Sequence, residues 1–188
     1  MGITNSKMKL IIRIQIIILL LIANNATLNA QVPEYALKAD FIYKISKYCY
    51  WPNSRVQQDS FTIVIIGKNY FKENIHILSS KQIDNKPVKI QVVQFAEIIP
   101  PCNILFISDT EEKNLKTILN AIKGQPILTI SDTDGFAQAG TCINFYYTNQ
   151  QTLHFQFNPD AIKRSGIIVD LYLLTYGINI KEKNDTNY

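Results

Sequence analysis

Side chains that commonly carry chemistry are scarce in this chain, which has two histidines, three cysteines and one tryptophan among 188 residues. His76 and His154 are far from each other and from Cys49, Cys102 and Cys142, and none has metal-ligand spacing, so no metal site is expected. A hydrolytic triad would need one of the two histidines. His154 falls on a predicted strand whose other face carries Leu153, Phe155 and Phe157, and His76 sits between Ile75 and Ile77 on a predicted helix. Both read as surface or boundary residues. Phosphate-binding glycine loops, whether of the Walker kind or G-x-G-x-x-G, are missing. Asp132-Thr133-Asp134-Gly135 has the look of an incipient calcium loop, but a third acidic position is lacking and Ile143 stands where the closing glutamate belongs. The residues therefore predict no catalytic group, no cofactor and no enzyme.

A strong charge of one sign is also missing once the first thirty residues are set aside. Lys7 and Lys9 lead an apolar block from Ile14 to Ile22, and Ala26 and Ala30 supply small residues for cleavage, the three-part layout of a secretory signal peptide. The block is interrupted by Arg13 and Gln15 and falls short of the roughly 20 residues that span a bilayer. A signal peptide over 1–30 is expected, with cleavage after Ala30 or, since Leu28 is large for its position, after Ala26; a retained membrane anchor is the alternative. Lys7, Lys9 and Arg13 leave with it, so sixteen basic residues face fifteen acidic ones. The apparent basicity thus argues for no nucleic acid or acidic-lipid partner. No repeat or Pro/Gly-rich linker divides the remainder, which reads as a single domain over 31–180 followed by a polar tail, 181–188.

Along that domain, Leu37, Phe41, Ile45 and Tyr48 recur at helical spacing, with Asp40 and Lys44 one turn apart on another face, and Pro52 closes the segment. Apolar runs at 61–66, 103–107 and 127–130, and at 88–93 the alternation of Val88, Ile90 and Val92 with Lys89 and Gln91, predict strands. Helices are expected at 70–79 and after Ser108-Asp109, the latter with the stripe Leu115, Ile118, Leu119 and Ile122. Strands at 142–147 and 153–157 flank a polar turn, Pro159 suits a helix start, and 167–176 is predicted helical. Strands apolar on both faces, alternating with helices, predict a three-layer, Rossmann-like α/β sandwich: a mainly parallel sheet with an antiparallel hairpin at one edge.

Ligands of such sheets sit at the carboxyl edge. That edge is expected to hold Gly67-Lys68-Asn69, Ser108-Asp109-Thr110 and Ser131-Asp132, either as binding loops or as ordinary caps and turns. Arg164 is one of three arginines against sixteen lysines, so its planar fork is expected to hold a carboxylate, on a ligand or within the fold. Tyr146, Tyr147, Phe155 and Phe157 put aromatic mass on both faces of the hairpin, and a contact surface is expected to involve the hairpin, through its outward members, and the segment after it.

The chain resembles the YfiR-like family of exported bacterial proteins from about Tyr35 to Tyr176. The resemblance rests on Tyr35-Ala36-Leu37-Lys38-Ala39 with Phe41 and Tyr43, on Trp51-Pro52, and on Phe61-x-Ile63-x-Ile65-Ile66-Gly67. It continues through Lys86-Pro87-Val88, Cys102-Asn103-Ile104-Leu105-Phe106-Ile107, Pro126-Ile127-Leu128-Thr129-Ile130-Ser131-Asp132 and Phe136-Ala137-x-x-Gly140. Ile143-Asn144-Phe145, Phe155-x-Phe157-Asn158 and Arg164-x-Gly166 complete it. It implies a periplasmic domain that binds instead of catalysing, restraining a membrane-bound diguanylate cyclase and so controlling cyclic-di-GMP and biofilm behaviour. The partner implied is an inner-membrane signalling protein, with a homodimer as a further association to test. A small-solute-binding periplasmic module is the alternative.

Two departures stand out. Relatives often carry a cysteine in the first strand able to pair with the one matching Cys102, where this chain has Val64, and Thr141 replaces the second glycine of the usual pair. The family's disulfide pattern is therefore in doubt here. From strand order alone, Cys49 and Cys102 would open at the same sheet edge, where a bridge forms if their Cα atoms lie within about 7 Å. Three buried thiols are the other outcome.

Overall fold

Runs of β-branched and aromatic residues build the centre of the molecule. The computed structural model describes residues 33–52, 59–94 and 98–183, so the signal segment expected over 1–30 lies outside the described residues. Helix α1 (Glu34–Ser46) leads to the short strand β1 (Cys49–Tyr50). Strand β2 (Phe61–Ile66) is buried at all six positions, as a strand covered on both faces should be. A 3-10 helix (Lys72–Ser80) and strands β3 (Gln82–Ile83), β4 (Lys86–Val93) and β5 (Ile104–Ile107) follow. After a second 3-10 turn (Asp109–Asn114) come α2 (Leu115–Ala121), β6 (Leu128–Ser131), β7 (Ile143–Tyr147) and β8 (Leu153–Phe157). The chain then forms α3 (Pro159–Ser165), β9 (Ile168–Val169), α4 (Leu171–Leu174) and β10 (Ile178–Asn179).

The main sheet has eight strands in the order β10-β8-β7-β6-β5-β2-β4-β3, and β1 with β9 makes a separate antiparallel ribbon. Pairings from β4 through β2, β5 and β6 to β7 are parallel, and β7 with β8 is antiparallel. The protein is thus α/β with a mixed, mostly parallel sheet. Side chains divide between two cores, one on each face. Ala39, Ile42 and Ile45 of α1 pack with Ile63, Ile65, Phe106 and Phe145 on one side. Leu115 and Ile118 of α2 pack with Val64, Ile66, Leu105 and Ile107 on the other. That is the expected three-layer arrangement. Among the described residues no helix is long and apolar enough to cross a membrane.

Four details correct the sequence reading. The hairpin is not the sheet edge, because β10 pairs in parallel outside β8. The segment 167–176 is not one helix: Ile168 and Val169 pair with Tyr50 and Cys49, and only Leu171–Leu174 turns helical, capped by Asp170. Consecutive β-branched residues favour the strand. The turn Asp84-Asn85, with both φ positive at 51° and 60°, joins β3 to β4 as a two-residue hairpin, which the reading passed over. Lastly, the fully buried face of α1 is Lys38, Ala39, Ile42, Ile45 and Ser46, whereas Leu37 and Phe41 are half-buried. The polar look of Lys38 hid that face. The Asp40–Lys44 pair forms as expected, at 2.7 Å.

Candidate functional site

At the carboxyl edge the sheet presents the loops expected to hold a ligand, and most of their groups are engaged internally. The chain direction diverges between β2 and β5, where open α/β sheets usually leave a crevice. Here Thr110 and Glu111 fill it. A Cβ on Gly67, whose φ is +88°, would stand 2.5 Å from Thr110 Oγ1 and 2.8 Å from Glu111 Cγ. Only glycine tolerates that approach. The Lys68 N–H donates to Thr110 Oγ1 at 3.0 Å, which ties the two loops together.

At the end of β6, Ser131 is fully buried, with its hydroxyl donating to Asn144 Oδ1 at 2.5 Å and lying 3.2 Å from Thr141 Oγ1. It is a core residue, out of reach of a ligand. Asp132 is the hub of a polar cluster that includes a lysine the sequence reading missed. Lys38 Nζ reaches Asp132 Oδ2 at 2.6 Å and also pairs with Glu34. The Tyr35 hydroxyl donates to the same Asp132 oxygen at 2.8 Å, and the Lys38 ammonium sits 4.1 Å from the centre of the Tyr35 ring. The side chain of Lys38 is 4% exposed and that of Asp132 9%. Burial, and then the Asp132 carboxylate, push the Tyr35 hydroxyl well above its usual range. This arrangement locks α1 onto the end of β6.

The hairpin residues separate by face. Phe155 and Phe157 are 4% and 7% exposed and belong to the core, so they cannot form a contact surface. Alternation along β8 explains this, since Leu153, Phe155 and Phe157 share one face. The backbone at Gly177 lies across both rings. Tyr146 is half-buried beside His154, and Tyr147 is exposed near Lys38, 5.8 Å from ring centre to ammonium. Arg164 takes the intramolecular option: its Nη2 pairs with Glu182 Oε2 at 2.6 Å.

Cys49 and Cys102 do not meet. Cys49 packs in the α1-side core and Cys102 in the α2-side core, so strand order put them at one edge but on opposite faces of the sheet. All three cysteines are buried, and no disulfide joins them. Burial, with lesser repulsion from Cys142 and Asp84, pushes the Cys49 thiol up to about 12, and burial raises Cys142 as well.

A further set of exposed apolar side chains lies elsewhere. Tyr50 and Ile168 oppose each other on the outer face of the β1–β9 ribbon, 53% and 68% exposed. Leu171 is 78% exposed, and Tyr172 stacks within 5.8 Å of Tyr48 and 5.1 Å of Tyr176. The Tyr176 hydroxyl donates to that of Tyr172 at 2.6 Å, which orders the cluster. Tyr48, Tyr172 and Tyr176 thus form one exposed ring cluster, close in sequence to the exposed Tyr50, Ile168 and Leu171.

A profile of the YfiR/HmsC-like family matches residues 35–177. This chain belongs to the YfiR/HmsC-like family. The match runs from Tyr35, at the start of α1, to Gly177 on the Phe155 ring, and so covers seven of the eight strands of the main sheet, all but β10, with the Lys38–Asp132 lock and the aromatic surface. The YfiR/HmsC-like family is associated with periplasmic regulation of diguanylate cyclases, and its members are regulators and not enzymes. No curated protein matches the chain. The sequence reading included the segment after the hairpin in its contact surface but named none of Ile168, Leu171, Tyr172 and Tyr176, because it assigned 167–176 to one helix. The signal was the β-branched run Ile167-Ile168-Val169 ahead of Asp170.

Proposed function

We propose that this protein is an exported periplasmic repressor that restrains a membrane-bound diguanylate cyclase by protein–protein contact, and thereby lowers cyclic-di-GMP and biofilm formation. The observation that carries the reading is the exposed ring cluster of Tyr48, Tyr172 and Tyr176, with the exposed Tyr50, Ile168 and Leu171 close in sequence, on a member of the YfiR/HmsC-like family. Interfaces favour such aromatic, uncharged patches. The small-solute alternative at the carboxyl-edge loops draws little support, since Thr110, Glu111 and the Lys38–Asp132 pair occupy them.

The test is affinity capture from solubilised inner membranes, run beside cyclic-di-GMP measurement in cells with and without the gene. Recovery of a diguanylate cyclase by the native chain, lost with Leu171→Asp, together with raised cyclic-di-GMP on deletion, supports the proposal. Unchanged cyclic-di-GMP and no inner-membrane partner overturn it.

A further inference from the structure

Between α2 and α3 the protein holds a cavity of about 870 Å³ that draws its walls from both cores, Leu115 and Ile122 from the α2 side and Cys142 and Ala161 from the α1 side, and no part of the repressor reading uses it. That volume lies within the range of small-molecule pockets. Its walls divide in character. Leu115, Leu119, Ile122 and Ile127 supply an apolar side, continuous with the core beneath α2. Charged groups also line it, Lys116, Lys123, Arg164 and Lys183 with Glu112 and Glu182, four cationic side chains against two anionic ones.

One carboxylate already stands in the Arg164 fork, and it arrives from the last described stretch of the chain. Past β10, the Ile180 N–H donates to Phe157 O at 2.8 Å and the Lys183 N–H to Gln138 O at 3.0 Å. The strap between them sets Glu182 Oε2 2.6 Å from Arg164 Nη2 and 3.5 Å from Asn158 Nδ2. Nη2 of the fork holds Glu182, and the planar fork suits a two-pronged carboxylate contact. Arg164 and Glu182 remain 47% and 25% exposed, so a competing anion can reach them.

We infer that this cavity binds a small organic monocarboxylate with an apolar body, whose carboxylate replaces that of Glu182 on Arg164. The apolar wall takes the body and the arginine takes the charge. Glu182 then acts as an internal competitor that keeps the site closed until such an acid is present. The inference is independent of the identity of any protein partner.

The probe is 3-phenylpropionate, titrated into the purified protein by amide NMR, with 3-phenylpropanamide as the uncharged control. Saturable shifts at Gln138, Gly140 and Lys183 with the acid only are expected. Glu182→Gln should tighten binding at least tenfold, because the competing carboxylate is gone. Arg164→Lys, which keeps the charge and loses the planar fork, should weaken it by a similar factor. Equal binding of acid and amide, an affinity unchanged by Glu182→Gln, or no saturable shift in the native protein and in Glu182→Gln each overturns the inference.

Discussion

Lys38 and Asp132 are 94 positions apart in the chain and meet at 2.6 Å, almost wholly out of water. A buried pair of this kind adds little net stability over an apolar pair of the same shape, but removing one partner strands the other charge. Lys38→Met should therefore destabilise the domain by about 3 kcal/mol and lower Tm by roughly 10 °C. Tyr35→Phe, which deletes one hydrogen bond to the same carboxylate, should cost about 1 kcal/mol. Urea unfolding of both variants checks the order. A Lys38→Met loss below that of Tyr35→Phe would show that the lock between α1 and β6 is not where the stability lies.

Thiols report on the two cores. Cys49 and Cys142 should ignore a thiol reagent at pH 8 in the native protein, since both are held above their ordinary value of 9.0 and are buried. Unfolding without reductant should release three thiols per chain, as the cysteine count requires if no bridge forms. Fewer than three would place a disulfide where the structure has none.

The same shifts set an alkaline limit. A proton held more tightly in the folded state than in the unfolded chain contributes stability below the unfolded value, and that contribution fades as pH rises through the folded one. For Cys49 the window runs from 9.0 to about 12, and for Tyr35 it opens at 10.0. Urea midpoints should be level near neutrality and fall above pH 9. In Cys49→Ala the fall between pH 9 and 12 should be shallower, and an unchanged slope would sink the assignment.

Gly177 shows what the end of the fold demands. A Cβ there would stand 2.4 Å from Phe155 Cε2 and 2.9 Å from Phe157 Cδ1. Those rings are themselves core, so they have little room to yield. Gly177→Ala should destabilise by about 1–3 kcal/mol, the usual range for overpacking. Thermal unfolding decides, and a Tm within a degree of the native value would mean that the backbone at β10 moves freely off β8.

Much of the architecture was legible in the sequence because Phe61–Ile66, Ile104–Ile107 and Leu128–Ser131 are short apolar runs whose burial on both faces dictates a covered parallel sheet. The hairpin was legible too, through alternation at Leu153, Phe155 and Phe157. Two-residue strands were not. The pairing of Cys49-Tyr50 with Ile168-Val169 joins segments with no local period, and only tertiary contact reveals it. The face of α1 was misread for a related reason. A lysine on the stripe of Ala39, Ile42 and Ile45 looks like solvent until its partner Asp132 arrives from a distant loop. Arg164 was singled out on its rarity, but Glu182 lay in what read as a polar tail.

Surface and core aromatics should part company when truncated. Tyr172 is 55% exposed and Leu171 78%, so alanine at either removes little buried area and should leave Tm within a few degrees. Phe155 is 4% exposed and packs under Gly177, so Phe155→Ala should cost about 3–5 kcal/mol. Association should respond in the opposite sense. If the proposed repressor docks through the Tyr48–Tyr172–Tyr176 cluster, Tyr172→Ala should weaken capture of its membrane partner tenfold or more, a hot-spot loss near 1.4 kcal/mol. Tyr146→Ala and Tyr147→Ala, on the hairpin first expected to make contact, should then weaken it less. Capture lost with the hairpin tyrosines and retained with Tyr172→Ala, all three variants melting as the native chain does, would move the interface to the tip of β7.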